Sequence, residues 1–178
     1  FYTYTTTMQK ILRLQVKLTD DQTTTVVFGL RLFATLLQPI YGAISDKIGR
    51  RPLLMMFGII GTLCTIPLLT MLAGTKDPWV AFIIVCAAWM IVAGYTSINA
   101  VVKAELFPTN VRAMGVGLPY AITVAVFGGT ADFVALKMQE LGHPEWYYWY
   151  LTGVIFLSFL VYATMRDTKK DSAMERHS

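Results

Sequence analysis

The sequence predicts an all-α membrane protein, and three observations support that class. Hydrophobic residues make up 55% of the chain and charged residues only 15%, with a mean hydropathy of +0.53, which exceeds what soluble domains usually carry. Apolar runs of roughly 20 residues recur, and a helix of that length crosses a hydrocarbon core about 30 Å thick. The connections between the runs are short and rich in polar residues, Gly and Pro, so neighbouring helices should run antiparallel.

We predict an opening helical stub followed by five membrane-spanning helices, which together form one bundle over residues 1–165. The chain opens without the charged start of a signal peptide, so we expect it to begin inside a helix of a larger protein. Residues 166–178 are polar and charged and are expected to form a disordered tail. The predicted spans are Thr23–Ser45, Pro52–Leu72, Trp79–Val102, Gly115–Met138 and Tyr147–Met165.

The distribution of positive charge predicts the orientation of this bundle. Of the Lys and Arg residues, nine lie in the loops and tail of one side, five lie on the other side, and Arg31 lies inside a span. Cytoplasmic loops carry such an excess, so the turn Gly42–Pro52 and the tail should face the cytoplasm. Trp79 and the aromatic run 146–150 are expected at the outer membrane interface.

Other functional classes find little support in the composition. Cys64 and Cys86 lie inside apolar runs without metal-ligand spacing and are interpreted as lipid-facing or core thiols, so neither a disulfide framework nor a zinc site is expected. His143 and His177 have no partner at ligand spacing, and we assign them no role. Basic residues do not alternate with aromatic ones on a polar face, which argues against nucleic-acid binding. No nucleophile–base pair indicates an enzyme, and no cofactor is expected.

The turn GAISDKIGRRP concentrates more charge than a membrane loop needs. Gly42 would permit close approach of another helix, Gly49 would permit a tight reversal, and Pro52 suits the first turn of the next helix. Asp46 stands at the C-terminal end of its own helix, where the helix dipole disfavours an anion. We therefore expect Asp46 to cap or face the N-terminus of another helix, where it could hold two bundles together.

Two stretches resemble the major facilitator superfamily. GAISDKIGRR resembles the signature loop between the second and third helices of each six-helix half, and KAELFPTNVRAMGVG resembles the loop between the tenth and eleventh helices in the metabolite:proton symporter branch. The resemblance implies the C-terminal six-helix half of a twelve-helix fold, with the stub as the end of helix seven and the spans as helices eight to twelve. The N-terminal half of the same transporter is then the implied partner.

The resemblance also implies a cytoplasmic charge network. Such a network would keep the intracellular side closed in one conformation and break when the halves rock. The alternative is that these charges only set the topology. The implied gate comprises Gly42, Asp46, Gly49, Arg50, Arg51, Glu105 and Arg112.

A second group of residues is predicted to line a substrate cavity. Arg31 lies within a span, where a guanidinium should face the bundle interior and could grip a dicarboxylate in bidentate fashion. The alternatives are a structural pair with Asp132 or a side chain that reaches outward to water. Related folds line the cavity with helices seven and ten, so polar residues there could orient a carboxylate or simply bond neighbouring helices. The cavity candidates are Tyr4, Gln9, Arg31, Gln38, Tyr95 and Asn99.

Asp132 is the acid that lies well inside a predicted span. A carboxyl group in low dielectric could carry a proton, which makes Asp132 a candidate for proton coupling. A salt bridge with Arg31, or a position near the outer interface, is the alternative. Its helix also carries the small residues Ala121, Ala125 and Gly128 on one face, which indicates close helix packing.

The implied function is secondary transport in a bacterial inner membrane. We expect a protein embedded in the lipid bilayer that couples proton entry to the uptake of a small carboxylate such as alpha-ketoglutarate by alternating access. Symport of betaine, proline or another organic acid is one alternative, and a membrane sensor on the same fold that does not transport is another.

Overall fold

The computed structural model describes residues 1–107 and 111–165, and all regular structure within these ranges is helical. The predicted tail, 166–178, lies outside the described residues. A π-helical turn, Thr3–Thr7, leads directly into the first α-helix. The α-helices are α1 (Met8–Leu14), α2 (Asp20–Ile48), α3 (Arg50–Gly74), α4 (Pro78–Thr96), α5 (Asn99–Glu105), α6 (Arg112–Thr123), α7 (Gly129–Glu140) and α8 (Glu145–Thr164).

Local sequence signals explain where the long helices begin. The Thr19 hydroxyl accepts the backbone N–H of Gln22 while the Gln22 side chain accepts the N–H of Thr19, which is a capping box at the start of α2. The Asp77 carboxylate accepts the backbone N–H of Trp79 and so caps α4, and Pro78 occupies the first turn. Between α2 and α3, Gly49 has φ +100°, a backbone conformation that side chains rarely adopt, so the predicted tight reversal is confirmed.

The predicted span Trp79–Val102 is interrupted in the structure. α4 ends at Thr96, and α5 begins at Asn99 after a short irregular turn. The Ser97 hydroxyl donates to the carbonyl of Ala93, and Gly94 precedes it by three residues. A glycine and a serine near each other weaken the helical ladder and commonly accompany a sharp bend.

A second π-turn, Val124–Gly128, joins α6 to α7 within the fourth span. This turn packs close to the first π-turn, because a Cβ built on Gly128 would lie 2.7 Å from the Tyr2 ring. The small-residue face predicted for this span therefore does receive a neighbouring side chain at Gly128. π-turns are rare and often mark functional regions of membrane and soluble helices.

α3 lies at the centre of the bundle and packs against both α4 and α8. Its glycines allow this contact, since a Cβ on Gly58 would meet Phe159 at 2.8 Å and one on Gly61 would meet Ile155 at 3.2 Å. α2 packs on the other side of α4, and α1 packs against α2. The buried apolar side chains form a core along these contacts.

Five helical segments of the described chain are long and apolar enough to cross a membrane. The prediction of an all-helical membrane protein is therefore confirmed. The five segments are Asp20–Ile48, Arg50–Gly74, Pro78–Glu105, Arg112–Glu140 and Glu145–Thr164.

The aromatic run at the start of α8 divides between two environments. Trp146 and Trp149 are exposed, as the interface prediction requires, but Tyr147 and Tyr148 are buried. The Tyr147 hydroxyl contacts the Thr3 hydroxyl in the π-helical turn, and the Tyr148 hydroxyl donates to the side-chain carbonyl of Gln15, just after α1. A helix with 3.6 residues per turn cannot present four consecutive side chains to one environment.

Candidate functional site

A cavity of about 450 Å³ opens between the N-terminal stub, α2 and α4. Its walls combine apolar side chains with hydroxyl and amide groups, as ligand pockets commonly do. The lining residues are Phe1, Tyr4, Thr5, Thr6, Met8, Gln9, Val27, Leu30, Arg31, Ala34, Thr35, Gln38 and Trp89. Four of the six predicted cavity residues are therefore brought together: Tyr4, Gln9, Arg31 and Gln38.

Arg31 is the charged residue in the wall of this cavity. It lies 11 residues into α2, about 16 Å along a helix that rises 1.5 Å per residue. Within residues 1–107 and 111–165, its guanidinium forms no ion pair, and the predicted alternative of a pair with Asp132 is wrong. A guanidinium placed this way keeps its donors available for an anion.

Neutral donors flank Arg31 along the same side of α2. The Thr35 hydroxyl donates to the Arg31 carbonyl, and Thr35 lines the cavity. The Gln38 amide donates to the Thr96 hydroxyl at 3.0 Å and so ties α2 to the last residue of α4. Gln38 therefore both lines the cavity and bonds a neighbouring helix.

Tyr95 and Asn99 do not line this cavity, and their assignment as substrate-cavity residues stays a prediction. The Tyr95 ring stacks on Phe57 of α3 at a centroid distance of 5.1 Å and lies 6.5 Å from the Tyr162 ring of α8. Asn99 falls beyond the turn that ends α4. Trp89 reaches the cavity instead, and Tyr95, six residues further along α4, points roughly 120° away from it around the helix axis.

A compact charge cluster occupies the other end of the bundle, at the turn between α2 and α3. Arg50 Nη1 donates to Asp46 Oδ1 at 2.6 Å and to the Ser45 hydroxyl at 2.8 Å. Arg50 Nη2 donates to Glu105 Oε1 at 3.4 Å. Side-chain exposure is 12% for Arg50 and 11% for Glu105, so this pair is largely shielded from solvent.

The side-chain contact of Asp46 differs from the predicted helix cap. The N-cap residue of α3 is Gly49, and no side chain caps that helix. Asp46 instead pairs with the guanidinium of Arg50, the first residue of α3, so it does stand at the start of the next helix. Its role in holding two bundles together stays a prediction.

Three other members of the predicted gate lie apart from this cluster in the described structure. Arg51 donates to the carbonyl of Ala163 at 2.7 Å, near the C-terminal end of α8, because side chains at consecutive positions of α3 diverge by about 100°. Arg112 donates from Nε to the Phe107 carbonyl at 3.2 Å. A Cβ at Gly42 would meet no described atom within 4 Å, so no helix of the described chain approaches closely there.

Asp132 on α7 binds Lys10 and Thr7 and not Arg31. Its Oδ2 accepts from Lys10 Nζ at 2.7 Å and its Oδ1 accepts from the Thr7 hydroxyl at 2.5 Å. Lys10, which is not among the site residues predicted from the sequence, lies on α1. Its spacing from Thr7, one turn of helix, was the signal that could have indicated a shared face.

The part of the chain that the structure describes contains no cluster of metal-ligand side chains. Within residues 1–107 and 111–165, no three His, Cys, Asp or Glu side chains come together as ligands would. Cys64 and Cys86 are both unbonded and half-buried.

Comparison with known families decides the class of this molecule. Residues 1–178 match the family described as "Sugar (and other) transporter". The chain belongs to this transporter family. It is thus a member of the major facilitator superfamily, as its loop motifs indicated, and the family points to transport instead of catalysis.

Named relatives of this transporter carry several kinds of substrate. It is 42% identical over 161 residues to the alpha-ketoglutarate permease of Escherichia coli, a match that covers 90% of this chain and 37% of the permease. It is 30% identical to the citrate-proton symporter of Klebsiella pneumoniae over 127 residues, 71% of this chain and 28% of the relative. The ectoine/proline transporter of Corynebacterium glutamicum is also 30% identical, over 79% of this chain and 28% of the relative.

The chain spans about a third of the length of the curated relatives that it matches. No solved structure matches it significantly. The bacterial permease and symporter relatives and the five apolar helices together support a multi-pass membrane protein.

Proposed function

We propose that this chain is the C-terminal half of a proton-coupled symporter for a small carboxylate, with alpha-ketoglutarate as the first candidate. The transporter would lie in a bacterial inner membrane, where substrate and proton bind between two halves that rock about the site. The observation that carries the proposal is Arg31, a guanidinium within a membrane-spanning helix that lines a cavity and has no described ion pair.

Electrostatics favours an anionic substrate at this place. A charge inside a span is costly, and it persists where it faces water or a ligand of opposite charge. Arg31 can donate two parallel hydrogen bonds to a carboxylate, while Gln9, Gln38 and Thr35 offer neutral polar groups nearby. The permease and citrate symporter relatives support a carboxylate by their names.

The charge cluster around Arg50 supports the alternating-access part of the proposal. Asp46, Arg50 and Glu105 connect the turn between α2 and α3 to the end of α5. We propose that this cluster lies on the cytoplasmic side, with the C-terminus, and that it rearranges when the inner side opens. Small free-energy differences are sufficient, since a coupling of about 1–3 kcal/mol shifts a two-state equilibrium several-fold or more.

A second candidate substrate class is supported by the ectoine/proline relative. Proline and betaine carry a carboxylate that Arg31 could bind, but they also carry a positive charge that Arg31 would repel. A dicarboxylate brings no such repulsion, which is why we favour it. A membrane sensor on the same fold would bind the ligand without accumulating it.

Uptake by the full-length transporter in proteoliposomes tests the proposal. Radiolabelled alpha-ketoglutarate should accumulate only with an inward proton gradient, and Arg31→Gln should raise KM by at least about tenfold, because hydrogen bonds to charged groups contribute about 1.5–3 kcal/mol. Arg13→Gln is the matched control, since Arg13 lies outside the cavity in an exposed pair with Asp20. That pair should matter little to transport.

Unlabelled competitors distinguish the candidates in the same assay. We expect inhibition by other dicarboxylates and none by proline or betaine. Uptake of proline or betaine without any uptake of alpha-ketoglutarate would instead support the second substrate class. Binding without accumulation in a well-folded preparation would indicate a sensor.

A further inference from the structure

A chain of polar contacts holds the first helix on the side away from the cavity. The Thr3 hydroxyl lies 2.9 Å from the Tyr147 hydroxyl of α8. The Thr7 hydroxyl and the Lys10 ammonium each contact a different oxygen of Asp132 on α7, at 2.5 and 2.7 Å. We call these five residues, Thr3, Thr7, Lys10, Asp132 and Tyr147, the polar clasp.

Three of the five residues of the polar clasp are buried. Thr3, Thr7 and Tyr147 are 4%, 0% and 2% exposed, and such polar groups require partners. Lys10 and Asp132 retain side-chain exposure of 43% and 33%. Both charges belong to helices of an apolar bundle, where an acid and a base are retained when they satisfy one another.

The helix that carries the clasp also carries a wall of the cavity. Thr3, Thr7 and Lys10 follow the spacing of residues that share one helix face. Thr5 and Gln9 line the cavity from other faces of this helical segment. A rotation or shift of this short helix would therefore move cavity groups and clasp groups together.

Both oxygens of Asp132 are already engaged, which bears on the proton. An ammonium at 2.7 Å and a hydroxyl donor both favour the ionised carboxylate. An acid that carries a proton through the transport cycle must lose such partners in at least one state. The described contacts instead suit a fixed anion that positions a helix.

We propose that the polar clasp positions the α1 wall of the substrate cavity, with Asp132 as its fixed anion and not as the proton carrier. This inference rests on the proposed function insofar as the cavity is the substrate site. Gln9 is then held at the proper distance from Arg31 by contacts on the opposite face of its own helix. Asp132 is a positioning residue, which touches no substrate.

The first test measures transport by full-length variants. Asp132→Asn and Lys10→Met should each raise KM for alpha-ketoglutarate by about tenfold, since each breaks a charge-assisted hydrogen bond. Stimulation by the proton gradient should remain. The double variant Lys10→Asp with Asp132→Lys exchanges the two charges and should recover much of the lost affinity. Recovered transport would also show that the bundle still folds.

A matched control is available on the same helix. Lys137 and Glu140 form an exposed ion pair at 3.1 Å on α7, away from α1. Lys137→Met and Glu140→Gln should leave KM unchanged. An equal rise in KM from this pair would overturn the proposal, because the effect would then belong to α7 in general.

The second test does not depend on the identity of the substrate. A Gln9→Cys variant, in a background with all other cysteines replaced, is alkylated by a water-soluble maleimide from the cavity. Asp132→Asn should change its alkylation rate several-fold, and the charge exchange should restore the rate. An unchanged rate in Asp132→Asn would refute the positioning role even where alpha-ketoglutarate is not the substrate.

A different outcome of the transport assay would also contradict the proposal. Loss of gradient stimulation in Asp132→Asn, with KM and substrate exchange unchanged, would make Asp132 the proton carrier. Failure of the wild type to take up alpha-ketoglutarate would refute the proposed substrate alone, since the alkylation test would still decide the clasp.

Discussion

Arg50 and Glu105 lie 3.4 Å apart, from Nη2 to Oε1, although 55 residues separate them in the chain. Their contact joins the start of α3 to the last residue of α5, so two helical hairpins are tied at one end of the bundle. Both side chains are nearly buried. This pair is therefore sensitive to the loss of either partner.

Removal of both partners should be less harmful than the sum of the two single removals. Arg50→Gln or Glu105→Gln leaves a charge with fewer partners in a shielded site, and breaking a buried pair costs about 3–5 kcal/mol. The double variant should lower the melting temperature in detergent by less than the sum of the two single effects. The Arg13 and Asp20 pair, which is exposed, should show nearly additive effects in a parallel cycle. Additivity at Arg50 and Glu105 would contradict this account.

Arg31 should determine the charge preference of the transporter. Arg31→Gln keeps hydrogen-bond donors but removes the positive charge, which repels the cationic group of a zwitterion such as proline. We expect the inhibition constant of alpha-ketoglutarate, divided by that of proline, to rise by about tenfold or more. Competition against labelled substrate measures this ratio directly. An unchanged ratio would show that the preference originates elsewhere in the transporter.

Gly49 should tolerate no side chain without a loss of stability. Its φ of +100° and ψ of 170° fall in a region that is essentially confined to glycine, and other residues pay about 1–3 kcal/mol there. Gly49→Ala should therefore lower the melting temperature, while Gly74→Ala should not, because a Cβ at Gly74 meets open space. Equal melting temperatures for the two variants would argue against a strained turn.

Neighbouring glycines in the fourth span should respond differently to the same substitution. A Cβ at Gly128 would lie 2.7 Å from the Tyr2 ring, but a Cβ at Gly129 meets nothing within 4 Å. Gly128→Ala should displace the π-turn at the start of the chain and lower stability by about 1–3 kcal/mol, the usual effect of overpacking. Gly129→Ala should be neutral or stabilising in thermal melting. Tyr2→Ala should relieve the effect of Gly128→Ala.

The helices could be predicted well because long apolar runs determine them. α2 nevertheless begins earlier than its apolar run, at Asp20, because Thr19 and Gln22 form a capping box that hydropathy alone does not detect. The interruption after Thr96 was missed because Gly94 and Ser97 are ordinary residues in membrane helices. Their effect depends on how neighbouring helices pack.

The candidate site could be predicted only in part. Arg31 and Gln38 were accessible to prediction, since polar groups in a span at helical spacing indicate a common face. The orientation of Tyr95 was not, because the phase of α4 about its own axis depends on contacts with α3. Likewise, Asp132 stood out as a charge in a span, but its pairing with Lys10 instead of Arg31 follows from tertiary packing.

The central helix α3 contributes no side chain to the cavity wall among the described residues, and neither does α8. These two helices pack against each other at Gly58 and Gly61 of α3. The packing of α3 on α8 is thus separate from the wall of the proposed substrate site. A mutational library confined to cavity positions that are not buried, namely Gln9, Arg31, Thr35 and Gln38, should consequently yield many folded variants with altered selectivity, whereas one confined to α3 should mainly yield variants with reduced abundance.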